Sequence, residues 1–285
     1  MNRASSLVNV RWLADKIVSG TTKNLRVLDS SRYSSETRDA LAEYKKEHIR
    51  GALFFDIGAC SDVTSPYSNM LPNAQFFADY VGNLGISNDT HVVTYDTHEC
   101  GIFSAARAWW MFQHFGHPNV SVLNGGLQRW IKEGYPLTDE PTVVEPEKFQ
   151  ASVSNMSEVK TFEDIVQNIK DGRFQMMDAR SPTAFESEED PKSHIPRSIN
   201  IHFQNIMDAE TGEVKSTELL KKLFQEKNIQ LDRPLTAVCN TGVTACCLLL
   251  AAKLCGKDDA CLYDGSWSEY SKRINPVGGN GRGKA

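Results

Sequence analysis

The stretch Leu235-Thr236-Ala237-Val238-Cys239-Asn240-Thr241-Gly242-Val243-Thr244-Ala245 joins a strand, a short loop and the start of a helix. Its first four residues form an apolar run of strand length, and a longer apolar run follows from Ala245. Small and polar residues separate the two runs. Because parallel sheets bind ligands where a strand turns into a helix, the stretch predicts an α/β fold with a site in this loop.

Cys239 is the residue that the strand delivers to the loop. Loop N–H groups that turn inward form a nest of donors around the sulfur, and the helix start adds about +0.5 of a charge. Both effects stabilise a thiolate, and Gly242 permits a backbone angle that a side chain opposes. We therefore predict that Cys239 is a nucleophile over an anion cradle formed by Asn240, Thr241, Gly242, Val243 and Thr244.

Four short segments recur in the same order roughly 140–150 residues later, which is the pattern of an internal repeat. The pairs are Leu28–Arg32 with Met177–Arg180, His48–Ala52 with His194–Ser198, Val92–Asp96 with Leu235–Cys239, and Asn124–Gly126 with Tyr263–Gly265. Strands and helices alternate in each copy, which predicts two mostly parallel sheets flanked by helices. Since Asp96 stands opposite Cys239, the first copy is predicted to be catalytically inactive.

The predicted layout is domain 1 over residues 1–135, a linker over 136–159 and domain 2, with Cys239, over 160–285. The linker carries prolines and glutamates with little periodicity, so we expect it to run along the surface of both domains. The length of 285 residues agrees with about two domains.

Composition and charge exclude several classes of partner. The net charge of −5 argues against a nucleic-acid or anionic-membrane surface. The longest apolar run, Ala245–Ala252, is far shorter than the roughly 20 residues of a membrane span. No secretory signal is expected at the start of the chain, where Arg3, Arg11 and several serines give only a faint likeness to a mitochondrial presequence.

Seven cysteines are an odd number, which excludes a fully paired disulfide framework. Free thiols predict a reducing compartment, with the cytoplasm expected and a mitochondrial location as the alternative. The cysteines other than Cys239 are predicted to be small packing residues. No Cys-x-x-Cys pair occurs, and three consecutive residues, His98 to Cys100, point in different directions, so neither a metal nor a cofactor is predicted.

The loop and a set of further landmarks resemble the tandem-domain rhodanese family, most of all the 3-mercaptopyruvate and thiosulfate sulfurtransferases of animals. The landmarks are Ser61–Tyr67, Ala108–Phe112, Gly125–Leu127, Asp264–Trp267 and Gly281–Lys284. The resemblance implies two rhodanese-like domains with the active site in the cleft between them. It also implies a two-step sulfur transfer, in which Cys239 takes a sulfur from a small donor and a second substrate such as cyanide, glutathione or thioredoxin removes it.

The residues that follow Cys239 indicate which sulfur donor the chain prefers. Thiosulfate is a dianion, and relatives that prefer it place basic residues where this chain has the neutral Asn240 and Thr241. We therefore expect 3-mercaptopyruvate to be favoured over thiosulfate. Thr241 can replace the hydroxyl of a serine that the family proposals for proton handling place two residues after the cysteine.

Three positions depart from the family pattern. Gly58 stands where an acid is expected, Asn69 where a histidine is expected, and Ala184 where mercaptopyruvate enzymes place an arginine that grips the donor carboxylate. The nearest basic candidates for the donor anion are Lys192 and Arg197, whose ordinary role would be solvated surface charge. Arg180 is expected in a buried ion pair.

Two other functions remain open at this stage. A phosphatase of the same fold needs an arginine to close a larger loop, whereas this loop closes with Thr244. A persulfide carrier or binding protein without efficient turnover would be consistent with the three departures.

Overall fold

The computed structural model describes residues 4–33, 38–153, 159–187 and 193–275. The strands of the first half are β1 (Leu7–Val8), β2 (Leu25–Asp29), β3 (His48–Ile49), β4 (Ala52–Phe54), β5 (His91–Tyr95), β6 (Val120–Leu123) and β7 (Leu137–Thr138). Its helices are α1 (Val10–Val18), α2 (Ala40–Lys46), α3 (Ala74–Asn83), α4 (Ala105–His114) and α5 (Gly126–Lys132).

The second half repeats this alternation. Its strands are β8 (Val159–Lys160), β9 (Gln175–Asp178), β10 (Ser198–Asn200), β11 (Leu235–Val238) and β12 (Cys261–Tyr263). Its helices are α6 (Phe162–Asp171), α7 (Pro182–Phe185), α8 (Thr217–Glu226), α9 (Ala245–Leu254) and α10 (Ser266–Ile274), with a 3₁₀ turn at Phe203–Ile206.

Each half folds around one five-stranded parallel sheet. The strand order is β1-β6-β5-β2-β4 in the first sheet and β8-β12-β11-β9-β10 in the second, so corresponding strands hold corresponding places. The predicted α/β fold and internal repeat are confirmed by this match. The central strands are β5 and β11, and their carboxyl ends carry Asp96 and Cys239.

The sequence reading missed the edge strands β1 and β8 and the helix α6. A strand of two residues is too short to show the alternation on which a prediction depends. Helix α6 did leave a signal, because Thr161 and Asp164 form a capping box at its start.

The described part of the linker packs on the first domain alone. The N–H of Glu147 donates to the carbonyl of Gly82 at 2.9 Å, and the N–H of Ser152 donates to the carbonyl of Phe115 at 2.9 Å. Phe149 is buried with only 6% of its surface exposed. The expectation that this segment lies on the surface of both domains is therefore wrong for residues 136–153, and residues 154–158 fall outside the described ranges.

Helices α4 and α9 pack against each other across the two halves, within one continuous buried cluster. Residues 245–252 of α9 are all buried, as expected for a helix that is apolar all round. Cys247 lies at the contact, where its thiol donates to the carbonyl of Phe103 at 3.3 Å. Because each helix follows one of the two equivalent loops, this packing fixes the loops relative to each other.

Candidate active site

Cys239 lies directly after the central strand β11 and is 2% exposed. Its N–H donates to the hydroxyl of Ser266 at 3.1 Å, and its carbonyl accepts from the N–H of Trp267 at 3.0 Å. The carbonyl of Asn240 accepts from the N–H of Ser268 at 2.9 Å. The start of the loop is thus bound to the start of α10, which holds the cysteine in one place.

The backbone N–H groups of residues 240–245 donate to no other described residue. Gly242 has a φ of +75°, and a Cβ there would lie 2.8 Å from the carbonyl oxygen of Asp264. Only glycine fits both the left-handed backbone and the close approach. A curled loop whose donors are not used by the described residues has the arrangement that an anion cradle requires.

The equivalent loop of the first domain already holds an anion. The carboxylate of Asp96 accepts from the N–H groups of Phe103, Ser104 and Ala105 through Oδ2, at 2.8, 2.9 and 2.7 Å. Its Oδ1 accepts from the N–H of His98 at 3.0 Å. Three amides at the start of α4 and a fourth just after β5 therefore surround one carboxylate.

Asp96 is 1% exposed. Burial raises the pKa of Asp96 above its usual value, while the hydrogen bonds from the Ala105, Phe103 and His98 amides act in the opposite direction. A carboxylate cannot act as a sulfur nucleophile, so the first loop displays the anion site without the reactive group. This pairing supports the interpretation of the second loop as an anion cradle.

A buried ion pair joins the two domains beside the loop that follows Cys239. Arg107 of α4, which is fully buried, donates to Asp264 at 2.7 Å, and Asp264 is 2% exposed. The same guanidinium donates to the carbonyl of Gly242 at 3.3 Å and to the carbonyl of Asn69 at 2.6 Å. Asp264 also accepts from the N–H of Leu71 at 2.7 Å. Sequence reasoning missed this pair, although a lone arginine in an apolar helix was a usable signal.

Asn69 reaches the loop from the first domain. Its side-chain Nδ2 donates to the hydroxyl of Thr241 at 3.0 Å, and the residue is 5% exposed. The structure thus brings together Cys239, Thr241 and Asn69, one of the three departures from the family pattern.

A cavity of about 530 Å³ opens beside Asn240. Its other lining residues are Arg180, Ser181, Thr183, Ala184, Ser187, Ser193 and Trp267. Arg180 pairs with the buried Asp178 at 2.6 Å and also donates to the carbonyls of Ala184 and Ser193, so the expected buried ion pair is confirmed. The cavity wall is therefore rich in hydroxyls, and its one arginine is engaged by the protein.

The structure does not bring Arg197 to the loop. Arg197 precedes β10, whose first residue, Ser198, pairs with Met176 near the amino end of β9, whereas Cys239 lies beyond the carboxyl ends of the strands. Its guanidinium donates to the carbonyl of Asn168 at the end of α6, at 3.3 Å. The expectation that Arg197 contacts the donor anion is therefore corrected, and Lys192 lies outside the described residues.

Arg32 is a further cation of the first domain that the sequence reading did not select. Its Nη1 lies 3.0 Å from the position that a Cβ of Gly58 would occupy. It is half-buried and makes no ion pair or hydrogen bond with another described residue, and burial lowers the pKa of Arg32 while Asp56 opposes that change. Arg32 therefore borders the segment 56–71, whose Asn69 contacts Thr241.

The other cysteines behave as packing residues. Burial raises the pKa of Cys246 to about 12 and that of Cys100 to about 11, so both thiols stay protonated near neutral pH. All seven cysteines lie within the described ranges and are free of disulfides. Across those ranges there is no cluster of three or more histidine, cysteine or acidic side chains suited to a metal. Nor does any helix in them have the length and apolarity to cross a membrane.

Comparison with known proteins agrees with this architecture. The Rhodanese-like domain model matches residues 11–133 and 161–273. The chain is 49% identical to rat thiosulfate sulfurtransferase, over 98% of this chain and 96% of the relative, and 45% identical to mouse 3-mercaptopyruvate sulfurtransferase, over 98% and 97%. The crystal structure of the Escherichia coli 3-mercaptopyruvate sulfotransferase superimposes with a TM-score of 0.81 at 34% identity, covering 93% of this chain and 99% of that one.

The two sheets of matching topology are the two matched domains. The chain therefore belongs to the rhodanese family and is a sulfurtransferase with two rhodanese domains.

Proposed function

We propose that the chain moves a sulfane sulfur from 3-mercaptopyruvate to a thiol acceptor through a persulfide on Cys239. The observation that carries this proposal is the position of Cys239 at the mouth of a loop with unused N–H donors, opposite a copy that holds the Asp96 carboxylate in the same way.

In the first step the Cys239 thiolate attacks the sulfur of the donor. A sulfur–sulfur bond forms and the carbon–sulfur bond breaks, with its electron pair passing to carbon to give the enolate of pyruvate. The donor's thiol proton ends on that carbon, which leaves pyruvate and an anionic persulfide on Cys239. The loop amides stabilise this negative charge as they would an oxyanion.

In the second step an acceptor thiolate attacks the outer sulfur of the persulfide. A new sulfur–sulfur bond forms on the acceptor, and the electron pair of the broken bond returns to Cys239 as thiolate. Glutathione and thioredoxin are the acceptors we expect. Seven free cysteines suit a reducing compartment, so we propose the cytoplasm, with the mitochondrial matrix as the alternative.

The charge around the loop supports the choice of donor. Thiosulfate brings two negative charges and 3-mercaptopyruvate one. Asn240 and Thr241 add no positive charge, Arg180 is engaged by Asp178, and Arg107 by Asp264. Arg32 is then the cation proposed to meet the single carboxylate of the donor, since Gly58 leaves space beside its guanidinium.

A donor panel tests the proposal. Pyruvate release from 3-mercaptopyruvate and sulfite release from thiosulfate are measured with the same thiol acceptor, with Cys239→Ser as the inactive control and Cys246→Ser as a control for loss of a neighbouring thiol. We expect a higher kcat/KM for 3-mercaptopyruvate and no activity in Cys239→Ser. A preference for thiosulfate would contradict the donor, and activity in Cys239→Ser would contradict the persulfide route.

A persulfide carrier is the second candidate, favoured by the amide of Asn69 where the family pattern has a histidine. Mass spectrometry of Cys239 after exposure to donor distinguishes the two. A carrier forms the persulfide and retains it when the acceptor is added, whereas an enzyme loses it within the time of one turnover.

A further inference from the structure

Asn69 holds a strained backbone position beside the catalytic loop. Its φ of +64° lies in the left-handed region, which asparagine, aspartate and glycine enter most readily. Arg107 fixes the residue by donating to its carbonyl at 2.6 Å, and the N–H of Asp62 fixes the next residue by donating to the carbonyl of Met70 at 2.9 Å. The backbone thus aims the Asn69 side chain in a set direction.

The side chain meets the loop at one atom. Nδ2 of Asn69 donates to Oγ1 of Thr241 at 3.0 Å. An amide nitrogen can only donate, so Oγ1 accepts, and the hydroxyl hydrogen of Thr241 is left to donate elsewhere. Thr241 follows Cys239 by two residues, in the loop that surrounds the sulfur.

We propose that Asn69 is a positioning residue for sulfur transfer: by donating to Thr241 it orients the threonine hydroxyl to donate to the negative sulfur. The proposal rests on the persulfide route through Cys239 given above. Asn69 exchanges no proton in this role, because an amide does not ionise near neutral pH.

Two observations favour this role over simple packing. The Oδ1 atom of Asn69 is buried and has no hydrogen-bond partner among the described residues, whereas a side chain selected for packing would be expected to satisfy both ends of its amide. Arg107, which donates to the carbonyl of Asn69, is paired with Asp264. The amide therefore orients the hydroxyl without adding a charge beside the thiolate.

The direction of the hydrogen bond makes the role testable. A carboxylate in place of the amide has almost the same shape and tolerates the left-handed backbone, but it can only accept. In Asn69→Asp the Thr241 hydroxyl would donate to the new carboxylate and turn away from the sulfur. Asn69→Gly keeps the backbone and removes the side chain, which leaves the hydroxyl free but unoriented.

The experiment measures kcat and KM of Asn69→Gly, Asn69→Asp, Thr241→Val and Asn69→Gly/Thr241→Val, each with 3-mercaptopyruvate and with thiosulfate. Asn228 also has a positive φ, of +57°, but lies exposed at the end of α8, so Asn228→Asp is the matched control. We expect kcat to fall about tenfold in Asn69→Gly and about a hundredfold in Thr241→Val, with KM nearly unchanged. Asn69→Asp should fall below Asn69→Gly, and the double variant should be no slower than Thr241→Val.

A merely structural Asn69 gives additive effects of Asn69→Gly and Thr241→Val in the double variant. That result overturns the positioning role, as does an Asn69→Asp enzyme as fast as the Asn228→Asp control. Use of both donors separates this test from the choice of donor. Failure of the unaltered chain to form a persulfide on Cys239 with either donor would overturn the persulfide route and this role with it.

Discussion

Loss of the Arg107 guanidinium should destabilise the chain far more than loss of an exposed arginine. Arg107 and Asp264 are almost fully buried, and their contact of 2.7 Å links α4 of the first domain to the loop after β12. In Arg107→Met the carboxylate of Asp264 stays buried with the Leu71 N–H as its remaining donor. The carbonyl of Asn69 loses the donation from Arg107, and that of Gly242 keeps only the thiol of Cys246, at 3.4 Å.

Removing one partner of a buried ion pair costs about 3–5 kcal/mol. At about 1.4 kcal/mol for each factor of ten, the unfolding equilibrium constant of Arg107→Met should rise by roughly two to four powers of ten. Arg173→Met is the matched control, because Arg173 pairs with Asp171 at 2.6 Å but is 68% exposed. An exposed pair contributes about 0–1 kcal/mol.

The assay is urea unfolding followed by tryptophan fluorescence, with the rate of sulfur transfer measured in the folded range. Arg107→Met/Asp264→Leu should be more stable than Arg107→Met alone, because it leaves no unpaired charge. Equal losses in Arg107→Met and Arg173→Met would refute the reasoning. The reasoning would also be refuted if Arg107→Met/Asp264→Leu lost as much free energy of unfolding as Arg107→Met and Asp264→Leu lose together.

Three further outcomes are expected. Gly242→Ala should lose more stability than Gly212→Ala. Both positions have a positive φ, which costs an alanine about 1–2 kcal/mol, but only at Gly242 does the new Cβ contact backbone, at 2.8 Å. Similar urea midpoints for the two variants would contradict this. Arg32→Ala should raise KM for 3-mercaptopyruvate about tenfold with kcat nearly unchanged, because one charge-assisted contact is lost. The control Arg50→Ala, at an exposed position, should change neither constant. An unchanged KM in Arg32→Ala would exclude the contact. Burial raises the pKa of Asp29 from 3.8 to about 6. A raised pKa in the folded state means that stability falls as pH rises through this window, so the unaltered chain should lose about 2 kcal/mol relative to Asp29→Asn between pH 4 and pH 6.5. Parallel stability curves for the two proteins would show that Asp29 is not responsible.

The sequence predicted the features that depend on the order of residues within a short segment of the chain. An apolar strand, a small polar loop and an apolar helix placed Cys239 at the end of β11, and the repeat placed Asp96 at the end of β5. These features need only strand and helix periodicity and the rule that parallel strands end at one edge of a sheet.

The remaining site depends on contacts between distant parts of the chain. Asn69 and Thr241 are 172 residues apart, and Arg107 and Asp264 are 157 residues apart. No periodic pattern links such pairs, so the sequence marked Asn69 only as a departure from a family pattern. Arg197 was selected because it is among the basic residues nearest to Ala184 along the chain. It precedes β10, however, and a parallel strand begins at the edge of the sheet opposite to Cys239.

The carboxylate of Asp96 limits how much sulfur one molecule can carry. Two loops of the same design are present, but the first is permanently filled by a side chain of its own domain. Of the two loops, only the one after Cys239 leaves its N–H groups without an acceptor among the described residues. We therefore expect saturation at one sulfur per molecule. The first domain then contributes contacts to the second domain, through Asn69 and Arg107, and does not carry a sulfur of its own.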